Sequence, residues 1–394
     1  MKPPWPTKKL GEVAYFQEGP GLRTFQFKPN GIRVINVANI QNGFLDLTET
    51  KFLDPDEVKQ KYKHFLVNEN DILVSTSGTI GRVAWVKKQN LPLMLNTSVV
   101  RFHTLNEKIL SNKFLFYFLS SSLFKNEILK YKTGVAIFNV GPSHIKRIKI
   151  PLPPIKIQQK IVERLDAIKK AQELNYKQIE LSEELFQSLL HRELDQKGKN
   201  WEVKKLIEIC EINPQTMLNK KIDKVKYVEM AAIDENLKTI KYYLDRPINK
   251  ISSGAPRFTN NDIIFARITP CTENGKIAFV DNCKDICAGS TELHVLRPKK
   301  DKILPHFLFY FIITPKIRNM AVASMIGSTG RQRVPAEFFH YLKIPLPPIE
   351  TQQKIVEKLS AIQEYKKKLL EQKQKLQELF ESVLNKSFKC ELAE

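Results

Sequence analysis

The chain has 394 residues, 42% of them hydrophobic and 27% charged, enough for two or three domains with real cores. The 63 Lys and Arg against 42 Asp and Glu give a formal charge of +21, which points to a polyanionic partner, nucleic acid first. No run of eighteen apolar residues predicts a membrane span, the start "MKPPWPTKKL" has no signal-peptide core, and five cysteines make no disulfide framework; a cytoplasmic protein is expected.

Residues 1–154 read as a mixed α/β region. "DILVSTSG" and "GRVAWV" are β-type runs broken by glycine, and 113–129 is a candidate helix. The turn "VSTSGTIGR" offers hydroxyls and a guanidinium in Ser77, Thr79 and Arg82. "TGVAIFNVGPSH" offers Asn139, Ser143 and His144. Arg suits guanine and Asn suits adenine, while Ser and Thr also suit phosphate oxygens. The competing reading is that Ser77 and Thr79 shape a turn and Arg82 makes a salt bridge.

Residues 149–168, "KIPLPPIKIQQKIVERLDAI", open the next segment. The same motif returns at 343–362 as "KIPLPPIETQQKIVEKLSAI", with sixteen of twenty positions identical. The offset of 194 persists to "ELFQSLL" at 184–190 and "ELFESVL" at 378–384. Upstream of each copy the likeness is looser. "WPTKKLGEV" pairs with "WEVKKLIEI", and "FLFYFL" with "FLFYFI". The chain is therefore a variable region and a helical arm, twice over.

The arms, 155–197 and 349–394, read as long helices led by prolines, which suit a helix start. In the second arm Ile355, Ile362, Leu369, Leu376 and Val383 recur every seven residues, with Leu359, Phe380 and Leu384 beside them. The first is less regular, apolar at Ile161, Leu165, Ile168, Leu174, Leu181, Leu185 and Leu189. Two such helices are expected to pack antiparallel on each other; separate hairpins or an intermolecular coiled coil are the alternatives. An arm of some 40 residues would run ~60 Å.

Residues 198–348 read as a second α/β region. "DIIFARI" and "KIAFV" are β-type, and 305–323 is a candidate helix bent at Pro315. "ARITPCTENGK" offers Arg267, Thr269, Asn274 and Lys276, and "GSTGRQRVP" offers Arg331, Gln332 and Arg333. Asn274 could instead shape a turn, and Arg267 could form a salt bridge. Cys271, Cys283 and Cys287 lack the matched pairs of a zinc site, so reduced, partly buried thiols are expected.

Charge is not spread evenly. Residues 155–196 carry net −1, 349–388 net +2 and 389–394 net −1, which leaves +21 on the two variable regions. Neutral arms joined to basic heads suit a spacer between phosphate-binding modules. The chain has no phosphate loop, no dinucleotide fingerprint, no H-E-x-x-H and no N/D-P-P-Y/F methyltransferase signature. It is expected to perform no reaction by itself.

This arrangement, with "KIPLPPIKIQQKIVERL" and its near-copy "KIPLPPIETQQKIVEKL", and "NNDIIFARITPCTENGKIAFV" followed by "AGSTELHVLRP", resembles the specificity subunits of Type I restriction–modification enzymes over essentially the whole chain. The resemblance implies an α+β fold: two globular α/β target-recognition domains, 1–154 and 198–348, separated by two long antiparallel coiled-coil helices in pseudo-two-fold symmetry. It implies that each domain reads one half of a bipartite site in double-stranded DNA. It implies a coiled coil that sets the spacer and docks two methyltransferase subunits, which methylate adenine N6, with two motor-nuclease subunits where restriction occurs. No cofactor is expected on this chain; S-adenosylmethionine, Mg and ATP would belong to the partners. A stand-alone DNA-binding regulator and a coiled-coil scaffold remain as rival readings.

Overall fold

In the computed structural model, which describes residues 5–130, 142–195, 198–217, 223–328 and 330–389, the repeated motif has the same local structure both times. Lys149–Pro151 pairs antiparallel with Thr7–Lys9, and Lys343–Leu346 with Glu202–Lys205. The apolar Ile150 and Ile344 are fully buried by this pairing, while the lysines beside them stay in solvent. The helix then starts at once: Ile155–Leu194 in the first copy and Ile349–Lys389 in the second.

The chain divides into two compact units, residues 1–176 with 371–394, and residues 177–370. In the first, a four-stranded antiparallel sheet has the order Ala14–Glu18, Val99–Thr104, Ile72–Ser75, Val83–Trp85. A second sheet has the order Phe27–Lys28, Lys51–Leu53, Ile32–Ile35, Leu93–Leu95, the last pair parallel. Strand residues such as Ile72, Leu73 and Val74 are apolar on both faces because both faces are covered.

The second unit repeats the first sheet as Cys210–Ile212, Leu293–Pro298, Ile263–Ala266, Ile277–Phe279. Its other sheet has the order Leu244–Pro247, Lys224–Val228, Cys287–Gly289, Arg257–Phe258. Two expected helices are each divided. Residues 113–129 form Asn112–Ser120 and Ser122–Leu129, because Ser121 is extended and its hydroxyl accepts from Phe124 N. Residues 305–323 form Pro305–Ile312 and Pro315–Ala323, the second started by Pro315 and capped by Thr314.

The thiol expectation is corrected. Cys283 and Cys287, four positions apart, are joined in a disulfide, their Cα atoms 6.1 Å apart, within bonding reach. Cys210 and Cys271 remain free thiols. Burial, the larger effect, pushes the Cys271 thiol up. Among the described residues no helix is long and apolar enough to cross a membrane.

Each unit closes its core with pieces of both long helices. In the first, Ile161, Val162 and Leu165 meet Leu384 and Phe388, whose ring lies 5.0 Å from Phe114 and 5.5 Å from Phe118. In the second, Phe186 and Leu190 meet Ile355 and Leu359 against Phe307 and Tyr310. Each large apolar side chain so buried contributes about 1.5–3 kcal/mol. The helical segments run antiparallel within each unit. Gln172 donates to Leu376 O at 3.2 Å while Asn175 donates to Gln372. In the second unit, Glu183 pairs with Lys366 at 2.5 Å and Glu193 with Lys358 at 3.0 Å.

Ile168, Leu189, Ile362, Leu376 and Val383 are half-buried, and Leu369 is buried. Leu174, Leu181 and Leu185 face solvent, the last 57% exposed, and Phe186 takes the buried position beside it. The sequence grouped Leu185 with the apolar positions of the less regular first arm. The helix phase, set by Phe186 and Leu190 against the second unit's core, turns it outward.

The glutamine after each proline pair has a specific task. Gln158 is fully buried, donates to Pro153 O and Ile109 O at 2.8 Å, and accepts from Ser111 N at 2.9 Å. Gln352 does the same with Pro347 O and Leu304 N, both at 2.9 Å. It ties the first helical turn to the loop before the apolar helix in each unit.

Candidate nucleic-acid interface

Antiparallel order brings the loop after one strand beside the loop before its neighbour. In the first unit this gathers residues 19–23, 75–82 and 96–98 at one end of the sheet. The 75–82 turn closes on Ser75, whose hydroxyl donates to Thr79 O at 2.6 Å and accepts from Arg82 N at 2.9 Å. Gly78 has φ +60°, a left-handed conformation that glycine adopts freely, with open space around it. Thr79 is exposed, Ser77 half-exposed, and Arg82 leans back to Ile40 O at 3.4 Å. Thr76 N donates to Ser98 O, tying this turn to the next loop.

Ser143 and His144 stand on a separate short helix, Pro142–Ile145, anchored by Ile145 in the core with Ala14. Ser143 is exposed and His144 half-buried. Asn139 lies outside the described residues.

The second unit brings more of the expected residues together. Residues 213–217, 266–276 and 290–292 meet at the corresponding sheet end. The 331–334 segment joins them: Thr269 N donates to Gln332 O, Val334 N to Arg267 O, and Ile268 bridges Arg333. Arg267, Thr269, Gln332 and Arg333 thus share one surface, with Arg331 exposed next to them.

Glu292, which sequence reasoning did not single out, organises this surface. It accepts from Arg333 at 2.7–3.2 Å and from Arg267 at 3.4 Å. The Arg333 guanidinium, more than Arg267, holds the Glu292 carboxyl below the usual carboxylate range. The backbone contact is common to both units, since Arg267 N donates to Glu292 O as Thr76 N does to Ser98 O. Only the side chain differs, acidic in one unit and a hydroxyl in the other. The signal available in sequence was an acid in a short loop opposite two arginines.

Asn274 is exposed at the tip of a turn whose Gly275 has φ +68°. A Cβ there would meet Lys238 Nζ at 2.9 Å. Lys238 donates to Gly275 O at 2.6 Å, and burial, with help from Arg318, pushes its ammonium down to about 8. Lys276 turns inward to Met230 O at 2.9 Å. Beneath the surface, Arg297 forms a two-pronged pair with Asp262 at 2.6 and 2.9 Å and also donates to Thr216.

His294 is buried below Glu292. Its Nε2 lies 2.8 Å from Val334 O, which only accepts, so Nε2 carries the proton and Nδ1 accepts from Asn213 at 3.0 Å. Burial, the largest influence, lowers its pKa and keeps the ring neutral. Among the described residues, no group of three or more His, Cys, Asp or Glu could hold a metal ion. The surface as a whole offers guanidinium, amide and hydroxyl donors on loops held by a rigid sheet, the chemistry that reads phosphates and base edges.

Comparison with known proteins agrees with this reading of the fold. The profile for the Type I restriction modification DNA specificity domain matches twice, over residues 3–183 and 198–379. The specificity subunit of the Type I restriction enzyme EcoKI, from Escherichia coli K12, is 24% identical over 404 residues, 93% of this chain and 83% of that protein. The EcoAI specificity subunit from Escherichia coli is 34% identical over 157 residues, 40% of this chain; the chain spans 27% of that relative's length. Among solved structures, a chain described under complex assembly and conformational transition of the type I R-M system matches with TM-score 0.63 at 18% identity, covering 100% of this chain and 99% of that one. With both units matched by the profile, this chain belongs to the Type I restriction modification DNA specificity domain family.

Proposed function

We propose that the chain is the sequence-specific DNA-binding specificity subunit of a Type I restriction–modification enzyme. Each unit reads one half of a bipartite site with the loops at one end of its four-stranded sheet. The observation that carries this is the equivalence of those loop clusters. The same backbone frame occurs in each unit, and it is furnished with different side chains, Glu292 against Ser98, where different bases would be read.

The long helices, near-neutral and repeated, set the spacer between half-sites in this reading and dock two methyltransferase subunits. Those subunits bind S-adenosylmethionine and methylate adenine N6. Motor-nuclease subunits, using ATP and Mg, add restriction. The chain itself performs no chemistry and supplies position.

Single-molecule methylome sequencing of a host expressing this chain with its partner methyltransferase tests the reading. A bipartite N6-methyladenine motif should vanish when this chain is deleted. Replacing residues 1–148 or 200–342 from a relative should change one half-site each. A motif that persists without the chain, or one that is continuous, refutes it.

A further inference from the structure

Beside Arg267 in the second unit lies a polar cavity of about 240 Å³. Its side-chain donors include Gln215, Thr216, Ser253, Arg257, Arg267 and Thr291, and no carboxylate lines it. Two ion pairs adjoin it: Arg297 holds Asp262 and donates to Thr216 Oγ1 at 3.0 Å, and Arg267 donates to Glu292 at 3.4 Å. Arg257 donates from NH1 to Thr216 O at 3.1 Å. Its Nε is buried with no hydrogen-bond partner. Buried, Nε is out of a ligand's reach, so an acceptor in the cavity meets the Nη1 and Nη2 end of the guanidinium.

We propose that this cavity takes a backbone phosphate of the DNA, with Arg257 as its principal ligand and the hydroxyls of Thr216, Ser253 and Thr291 around it. The inference rests on the DNA-reading function proposed above and assigns one contact within it. A guanidinium fork matches two phosphate oxygens, and a set of donors without an acid favours an anion over a base edge. At about 30 Å³ per water, the cavity has room for a phosphodiester and several waters. Such a contact fixes register along the duplex and carries no sequence information.

The test uses the chain assembled with its methyltransferase partner, on its methylome-defined duplex and on a scrambled one, across a salt series. Arg257→Gln should lower affinity for both duplexes by the same factor and flatten the slope of log K against log salt by about 0.9, one phosphate's share. One neutral methylphosphonate at the contacted position should weaken the natural protein equally and the variant no further. Arg257→Lys keeps the charge without the fork; it should keep the slope and lose a few-fold in affinity, which covers the case where Arg257→Gln fails to fold.

A changed ratio between the duplexes with an unchanged slope would mean that Arg257 reads a base, and overturns the proposal. Unaltered binding by both variants overturns it too. A cavity that serves a free phosphate ion would show as stabilisation of the DNA-free protein by inorganic phosphate with no methylphosphonate effect, which overturns the DNA assignment. If the natural complex fails to distinguish the duplexes at all, the function proposed above fails, and the pocket with it.

Discussion

The Arg333 guanidinium lies 2.7 Å from the Glu292 carboxylate. Together with Arg267 on the other side, this pair staples the 331–334 segment to the loop ahead of strand Leu293–Pro298. In the proposed DNA-reading role, the carboxylate holds two guanidiniums that would otherwise be open to phosphates or guanines.

Glu292→Gln should therefore free both arginines. Affinity for scrambled DNA should rise a few-fold, while the ratio of cognate to scrambled affinity falls. Anisotropy titrations on the two duplexes check this. An unchanged ratio would show that the pair has only a structural task.

Gln158→Ala and Gln352→Ala should each destabilise the unit that holds them. Truncating Gln158 leaves Ser111 N, Ile109 O and Pro153 O without their partner in a buried place. One unsatisfied group costs about 1–3 kcal/mol. At ~2–4 °C per kcal/mol for a unit of this size, thermal unfolding should shift down by several degrees. Equal midpoints in variant and natural protein would contradict the role assigned to the repeated glutamine.

The second unit should weaken in mild acid. His294 has a folded pKa below its ordinary 6.5, through burial first, and burial lowers His306 as well. The unfolded chain then takes up protons before the folded one. The contribution is complete above about pH 6.5 and is lost as pH falls below it, until the folded rings themselves titrate. Melting from pH 7.5 to 5.5 should show the decline, and His294→Asn should make it shallower. A pH-independent midpoint would contradict the neutral, buried ring.

The spacer reading makes a geometric prediction. Adding one helical turn after Gln159, or in the equivalent place after Gln353, inserts ~5.4 Å of helix, about one to two base pairs of B-DNA. Methylome sequencing of such a variant should find a changed gap between unchanged half-sites. An unchanged gap would remove the helices from the task of measuring.

Much of the fold was legible because it rests on short-range signals. The duplicated proline-led motif marks two equal helices, and the strand runs 72–75, 83–85, 263–266 and 277–279 stand where "DILVSTSG", "GRVAWV", "DIIFARI" and "KIAFV" predict them. Of the two helix breaks, Pro315 announced one and nothing announced the other. Ser121 acts as a cap only because the chain around it turns, and one serine in an apolar run does not announce that.

The candidate surface divides the same way. Composition and loop chemistry, by themselves, determined that the variable regions are basic and donor-rich, and that the arms are nearly neutral helices. Which donors share a face was decided by the tertiary structure, since it depends on strands far apart in sequence. Arg333 meets Glu292 across 41 residues, and Arg257 meets Thr216 across 41 more. Arg267 reads in sequence as a base reader or a salt-bridge partner, and the fold pairs it with Glu292. Periodicity could name the apolar positions of each helix. Only the packed cores decided that Phe186 turns inward and Leu185 outward, because burial is a property of what stands opposite, which no local pattern contains.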